Sequence, residues 1–188
     1  MYPNTCLRMT GVTLIEMMMV ITVAAILMGI GVPSYRYVTT SNRVSTEVND
    51  LLGDMQFARS EAIKEGQSVT VCPSSNGTSC LAGTTTWQQG WIVFSDVNGN
   101  AAVNAPSDVV LRVQAAFTSA QDTFQSDNAV SAVTFNREGF AVGLPATAAG
   151  YITLTLHSTP NNSQWTRCLQ IGMVGMLTTE RVGAGSCQ

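Results

Sequence analysis

Residues 11–33 read GVTLIEMMMVITVAAILMGIGVP, and from Val12 to Val32 there are 21 residues with a single charge, Glu16. As a helix rising about 1.5 Å per residue this is roughly 31 Å, near the thickness of a bilayer's hydrocarbon core. An ionisable group inside such a segment is expensive unless it finds a partner, so Glu16 marks a function. Two plainer readings compete, a secretory signal peptide and a simple anchor. A signal peptide has a short apolar core followed by a small-residue cleavage site. Here the apolar run is longer, and Gly11 precedes it instead of following it.

Ahead of this stretch, residues 1–11 (MYPNTCLRMTG) form a short polar leader with one basic residue, Arg8. Behind it, Gly29, Gly31 and Pro33 are expected to weaken or kink the helix, because proline lacks a donor and glycine adds backbone entropy. A second helical stretch follows from about Tyr35 to Glu65. Val44, Val48, Leu51, Met55, Ala58 and Ala62 advance by fours and threes, with Leu52 and Ile63 widening the stripe. Thr46, Asn49, Asp50, Gln56, Arg59 and Lys64 occupy the polar side, and Gly66 is placed to cap the end. Charges recur too often for a second membrane span. Residues 12–33 are therefore read as a membrane or filament-core half-helix, residues 34–66 as its amphipathic continuation, and residues 67–188 as a β-rich domain.

In that domain, Ser68–Cys72, Gly90–Phe94, Val109–Val113, Ala132–Phe135, Phe140–Val142, Tyr151–His157 and Arg167–Ile171 read as short strands between turn-forming clusters. In YITLTLH (151–157), Ile152, Leu154 and Leu156 alternate with Thr153 and Thr155, which predicts one buried face. No later stretch carries an amphipathic helix, so antiparallel strands are expected, not βαβ units. Residues 114–131 read as a loop or insertion. The fold class expected is α+β: a long N-terminal helix packed on a small antiparallel β-domain.

Charged residues are 11 % of the chain, against roughly 25 % in an ordinary soluble domain. The formal charge of −3 suggests no general polyanion binder. Cys6 precedes the apolar segment, and Cys72, Cys80, Cys168 and Cys187 follow it. Four exported cysteines allow three pairings. Proximity favours Cys72–Cys80 and Cys168–Cys187, whose loops would add roughly 2.5 and 3 kcal/mol in the chain-entropy account. There is no Cys-x-x-Cys, and the single histidine, His157, completes neither a zinc set nor a catalytic triad with Ser158. No metal, cofactor or enzymatic activity is expected. Asp96-Val-Asn-Gly-Asn100 opens like a calcium loop, but Ala101 and Ser107 stand where glycine and an acid belong. A turn built on Asn98-Gly99 is the stronger reading, with a loose Ca²⁺ site on Asp96 and Asp108 as the alternative. Trp87, Trp91 and Trp165 are expected as core or sheet residues, not as a stacking platform.

The N-terminal combination resembles the type IV prepilins: a short leader ending in Gly11, a glutamate fifth after it, and an apolar helix running into an amphipathic one. Gln56–Lys64, Thr70–Pro73, Gly90–Phe94 with the Asp96–Asn100 turn, and Val133–Asn136 with Gly139 resemble one subgroup. It comprises the minor pilins of the FimT/FimU kind and the related minor pseudopilin H (GspH) of type II secretion. The resemblance implies a prepilin peptidase and N-methyltransferase cutting between Gly11 and Val12, where the family most often has phenylalanine. It implies that the Glu16 carboxylate meets the N-terminal amine of a neighbouring subunit. The implied partners are that peptidase, other major and minor pilins or pseudopilins, and an inner-membrane assembly platform. The implied location is a single pass through a bacterial inner membrane with the C-terminal domain in the periplasm, then the filament, at or near its tip. FimT-like members also include a DNA receptor for natural transformation, which reads DNA through a glycine–arginine–any–arginine motif. The corresponding stretch, Gly175-Met176-Leu177-Thr178, lacks both arginines, so the candidate DNA contacts are Arg167 and Arg181.

Overall fold

The computed structural model describes residues 11–127, 129–147, 150–159, 163–183 and 187. All of the expected leader except Gly11 lies outside them, as does Cys6. The chain divides into two units, residues 1–39 and 40–188.

The first unit carries the start of helix α1 (Leu14–Glu65). Thr13 caps it, accepting the Glu16 amide on its hydroxyl at 3.3 Å, while its own amide points back at Glu16 Oε2 at 3.5 Å. Thr-x-x-Glu is a capping box, in which two otherwise orphaned donors are satisfied reciprocally. Thr22 is the other polar side chain between Leu14 and Val32, and its hydroxyl donates to the carbonyls of Met18 and Met19, both at 2.9 Å. It therefore needs nothing from outside the helix. From Gly11 to Thr39 every residue is exposed except half-buried Ala24. The helix assignment runs unbroken through Gly29, Gly31 and Pro33. The expected weak point does not end the helix.

In the second unit, α1 buries Val44, Val48, Leu51, Met55, Ala58 and Ala62, the whole of the four-three stripe. Leu52 packs at its margin, but Ile63 is 52 % exposed and does not widen it. Gly66 closes the helix with φ of +68° and an amide bond to the Ala62 carbonyl at 3.0 Å, the left-handed C-cap that glycine adopts without strain.

Two antiparallel sheets follow. β1 (Val69–Pro73), β2 (Trp91–Ser95), β3 (Val110–Gln114), β5 (Val133–Phe135) and β6 (Ala141–Val142) make one, in the order β3-β2-β1-β5-β6. β4 (Asp122–Ser126), β7 (Tyr151–Ser158), β8 (Arg167–Gly172) and β9 (Leu177–Arg181) make the other, in the order β4-β7-β8-β9. The helix stripe shares one core with Val69, Val71, Val93, Val133 and Phe135 of the first sheet and Ile152, Leu154, Leu156, Leu169 and Ile171 of the second. Burying each large apolar side chain contributes roughly 1.5–3 kcal/mol. The other face of the first sheet holds a smaller cluster, Cys72, Ile92 and Phe94, under which Cys80 packs. With both faces covered, the β2 sequence reads as a continuous apolar run instead of an alternation.

Three expectations are corrected. Residues 114–131 contain β4, which pairs with β7 from Asp122↔Ser158 to Ser126↔Leu154, with Phe124 as its one apolar core residue. β9 was not foreseen; it pairs with β8 from Arg167↔Arg181 to Ile171↔Leu177. β7 is buried on both faces, since Thr153 and Thr155 are 3 % and 5 % exposed. The Thr155 hydroxyl meets that burial by donating to the Asp127 carboxylate at 3.0 Å.

The two sheets meet the helix at a crowded node. Arg59 Nε donates to the Gly139 carbonyl at 3.0 Å, and the Ala141 amide donates to Met173 across the sheets, also at 3.0 Å. Gly175, at φ +77°, sits so close that a β-carbon would collide with the Gly139 carbonyl oxygen and lie 2.9 Å from Arg59 Nε. Gly175→Ala combines a left-handed backbone with a clash against main chain, and is expected to cost about 2–3 kcal/mol. A urea midpoint unchanged from the parent would contradict it.

Candidate functional site

The N-terminal segment is the first candidate. Leu14, Ile15, Val20, Ile21, Ile26, Leu27 and Ile30 are 58–79 % exposed. The helix is long and apolar enough to cross a membrane. Covering so large an apolar surface takes lipid or other chains. With Thr22 satisfied internally, Glu16 is the one charge on that surface. Gly11 and Val12 are exposed just ahead of the helix.

The disulfides are Cys72–Cys80 and Cys168–Cys187, each with Cα atoms 5.6 Å apart. The first ties β1 to the loop that follows it, and the second ties β8 to the C-terminal residues.

The two candidate DNA contacts are brought together. Arg167 and Arg181 are register partners on β8 and β9, and with Ser45, Val48, Asn49 and Thr179 they line a cavity of about 180 Å³. Arg167 Nη1 is held by the carbonyls of Gln164 and Thr166, at 2.9 and 2.8 Å. Five other cations of the head are committed elsewhere, Arg43, Lys64, Arg112 and Arg137 to carboxylates and Arg59 to Gly139, while Arg36 lies on the exposed part of α1. Two adjacent arginines fall short of the several phosphate contacts that useful affinity for nucleic acid requires.

Asp96 and Asp108 organise a loop. Asp96 accepts from the amides of Asn100 and Ala101 and from the Thr70 hydroxyl, at 3.0, 2.8 and 2.8 Å. Asp108 accepts from the amides of Val97 and Asn104 at 3.2 and 2.8 Å. Burial disfavours the Asp108 anion, but these amides outweigh it and hold the carboxyl below its ordinary range. Among the described residues no cluster of metal-ligating side chains forms. Asp96, Val97, Asn98 and Gly99 make the expected turn, the Gly99 amide reaching the Asp96 carbonyl at 3.2 Å, within a longer connection between β2 and β3. Trp87 and Trp91 are in the core and Trp165 is half-buried. His157 Nδ1 faces the Thr166 hydroxyl at 3.1 Å, whereas Ser158 accepts from Arg43 Nη2 at 3.2 Å. No nucleophile–base pair results.

Two acids buried on the helix were missed in the sequence. Asp54 accepts from Trp91 Nε1 at 2.8 Å and from Arg112 Nη1 at 3.0 Å, and the Arg112 guanidinium lies 3.7 Å over the Phe57 ring. Nearer the head's first residues, Arg43 makes a two-pronged pair with fully buried Asp122, at 2.6 and 3.0 Å. Glu47 lies beside them, 7 % exposed, its carboxyl hydrogen-bonded to that of Asp122, a contact that only a protonated acid can make. Burial above all, then the Asp122 charge, pushes the Glu47 carboxyl from 4.5 up to about 7, against the opposing pull of Arg43. The folded chain therefore keeps a proton that the unfolded chain releases between pH 4.5 and 7, so stability falls as pH rises through that window. The loss is expected to be about 2–3 kcal/mol. Glu47→Gln should remove most of that slope and raise stability at pH 8. Urea midpoints at pH 5 and 8 check this, and an unchanged slope contradicts it.

Residues 47–175 match the family described as type II transport protein GspH. The fold is similar to the crystal structure of the type IV minor pilin FimU from Pseudomonas aeruginosa strain PAO1. The match is at 22 % identity and TM-score 0.56, covering 74 % of this chain and 89 % of that one. A second crystal form of FimU matches at 20 % identity and TM-score 0.50, over 73 % and 90 % of the two chains. The minor pseudopilin EpsH of the Vibrio cholerae type 2 secretion system overlaps at 10 % identity and TM-score 0.47, over 75 % and 98 %. No curated protein matches by sequence.

Proposed function

We propose, from the premise that this chain belongs to the type II transport protein GspH family, that it is a structural minor subunit of a type IV pilus or secretion pseudopilus. Leader removal at Gly11 would expose Val12 as a new N-terminus, which is then methylated by the same prepilin peptidase. The apolar half of α1 holds the subunit in the inner membrane with its head in the periplasm, and passes into the filament core on assembly, at or near the tip. Other pilin-type subunits and the inner-membrane platform are its partners. The observation that carries this reading is one continuous helix whose first part is exposed, apolar and singly charged, and whose second part packs into a FimU-like head. Membrane anchoring alone explains the first part but leaves the Glu16 charge with only the capping box at Thr13 to serve.

The family match begins at Glu47, so the processing step rests on the residues at the N-terminus. Mass spectrometry of the chain purified from its membrane is the test. The expected result is a methylated N-terminus at Val12; a chain retaining residues 1–11 overturns the proposal.

A further inference from the structure

We propose that Tyr35, Arg36 and Tyr37 form a collar that binds phospholipid headgroups at one face of the bilayer, the arginine on their phosphates, and so fixes the depth of the span. The inference rests on the membrane anchoring proposed above and is independent of filament assembly. The collar follows directly on the apolar run, with Pro33 and Ser34 between them. Its three residues belong to the first unit and are all exposed on a helix that continues unbroken through Pro33. A tyrosine ring is apolar while its hydroxyl prefers water, which is why tyrosine collects at the headgroup level. Arg36 makes no ion pair among the described residues. Its guanidinium matches phosphate through parallel hydrogen bonds, and its stem can lie along acyl chains. The Thr39 hydroxyl, one turn later, donates to the Tyr35 and Arg36 carbonyls at 3.0 and 3.1 Å and leaves the lipid contacts to the collar.

Direction and depth both single out headgroups over a partner chain. Consecutive helix residues stand about 100° apart, so three in a row face roughly 200° of the circumference. A neighbouring helix meets one seam of that surface, whereas a headgroup layer surrounds the helix and meets all three. No charge lies between Glu16 and Arg36, which follows it by 20 residues. That separation is about 30 Å of helix, the thickness of the hydrocarbon core. With the collar at one boundary, Glu16 comes to the other. Water reaches its carboxylate there, so the charge opposes insertion far less than it would at the bilayer centre. A span set deeper or shallower would draw either Glu16 or Arg36 into the acyl chains.

The test uses the full chain in vesicles of phosphatidylethanolamine and phosphatidylglycerol, with the fluorescent amino acid acridonylalanine in place of exposed Val38. A nitroxide on the lipid headgroup should quench this probe roughly threefold more than a nitroxide at mid-chain. In the triple variant Tyr35→Leu, Arg36→Leu, Tyr37→Leu the apolar run lengthens, and the span should slide until the mid-chain nitroxide quenches at least as strongly. Arg36→Gln should remove the parent's preference, roughly threefold, for a nitroxide carried on phosphatidylglycerol over one on phosphatidylcholine. A probe quenched best at mid-chain in the parent, a depth unchanged in the triple variant, or a lipid preference unchanged in Arg36→Gln overturns the proposal. So does quenching that changes as the chain is diluted in lipid, because a second chain then covers the collar. Alkaline carbonate separates the two readings. A parent chain that it extracts from the vesicles fails as a membrane span altogether, whereas one that stays in the vesicles at another depth fails only as a collar.

Discussion

Replacing Arg43 by methionine is expected to cost the folded chain about 3–5 kcal/mol at pH 8. Asp122 is completely buried and takes two of the three hydrogen bonds that the guanidinium makes. Glu47, also buried, stands beside it. Two acids out of water are tolerable only while the half-buried cation is there. Removing it leaves Asp122 with an uncompensated charge and takes away the one attraction that holds the Glu47 carboxyl down. Glu47 then keeps its proton to still higher pH. The variant's stability should therefore fall more steeply with rising pH than the parent's, and much of the deficit should vanish at pH 5. The double variant Arg43→Met, Asp122→Leu should recover most of the loss, because replacing a whole buried pair by apolar residues is far less costly than breaking it. Urea midpoints of the parent, of Arg43→Met and Asp122→Leu singly, and of the double variant at both pH values form the cycle. A deficit at pH 8 below about 1 kcal/mol would falsify the claim that this pair anchors helix to sheet, since that is the range of an exposed ion pair.

Why this cluster escapes a reading of the sequence is instructive. Arg43 and Asp122 are 79 residues apart, and Asp54 finds Arg112 across 58. On the helix alone, Glu47 and Asp54 sit next to the apolar stripe like ordinary flanking charge. Only the arrival of β4 and β3 makes them buried. The stripe itself was legible, because a 3.6-residue period needs no partner to be recognised. β1, β2 and β7 were legible for the complementary reason: their β-branched and aromatic runs end at turn residues. β4 (DTFQS) and β9 (LTTER) offer one large apolar side chain each. They are edge strands, where polar residues guard the open hydrogen-bonding side, and their pairing is imposed by β7 and β8. One signal was present and passed over. Thr13-x-x-Glu16 is a helix-start pattern, and it gives Glu16 a second explanation besides assembly.

That second explanation shapes the other large expected effect. Glu16→Ala should leave the chain in the membrane and remove it from filaments altogether. Its retention in lipid should not suffer, because a carboxylate within an apolar span opposes insertion by about 2.5–3.5 kcal/mol near the centre and less toward the end. The capping box is lost too, at a cost of about 0.5–2 kcal/mol on the scale of cap deletions, which a helix running to Glu65 absorbs by fraying at its first turn. Glu16→Gln tells the roles apart. Glutamine serves the capping box as well as glutamate does, accepting from the Thr13 amide, but it carries no charge to meet a neighbour's terminal amine. If the carboxylate recruits the subunit by ion pairing in an apolar surrounding, glutamine fails as completely as alanine, because the partner amine is then left buried and unpaired. Were Glu16 only a cap, glutamine would assemble like the parent and alanine would show a partial loss. Quantifying each variant in sheared filaments against the membrane fraction separates these outcomes, and normal incorporation of Glu16→Gln would reduce Glu16 to a local stabiliser of the helix start.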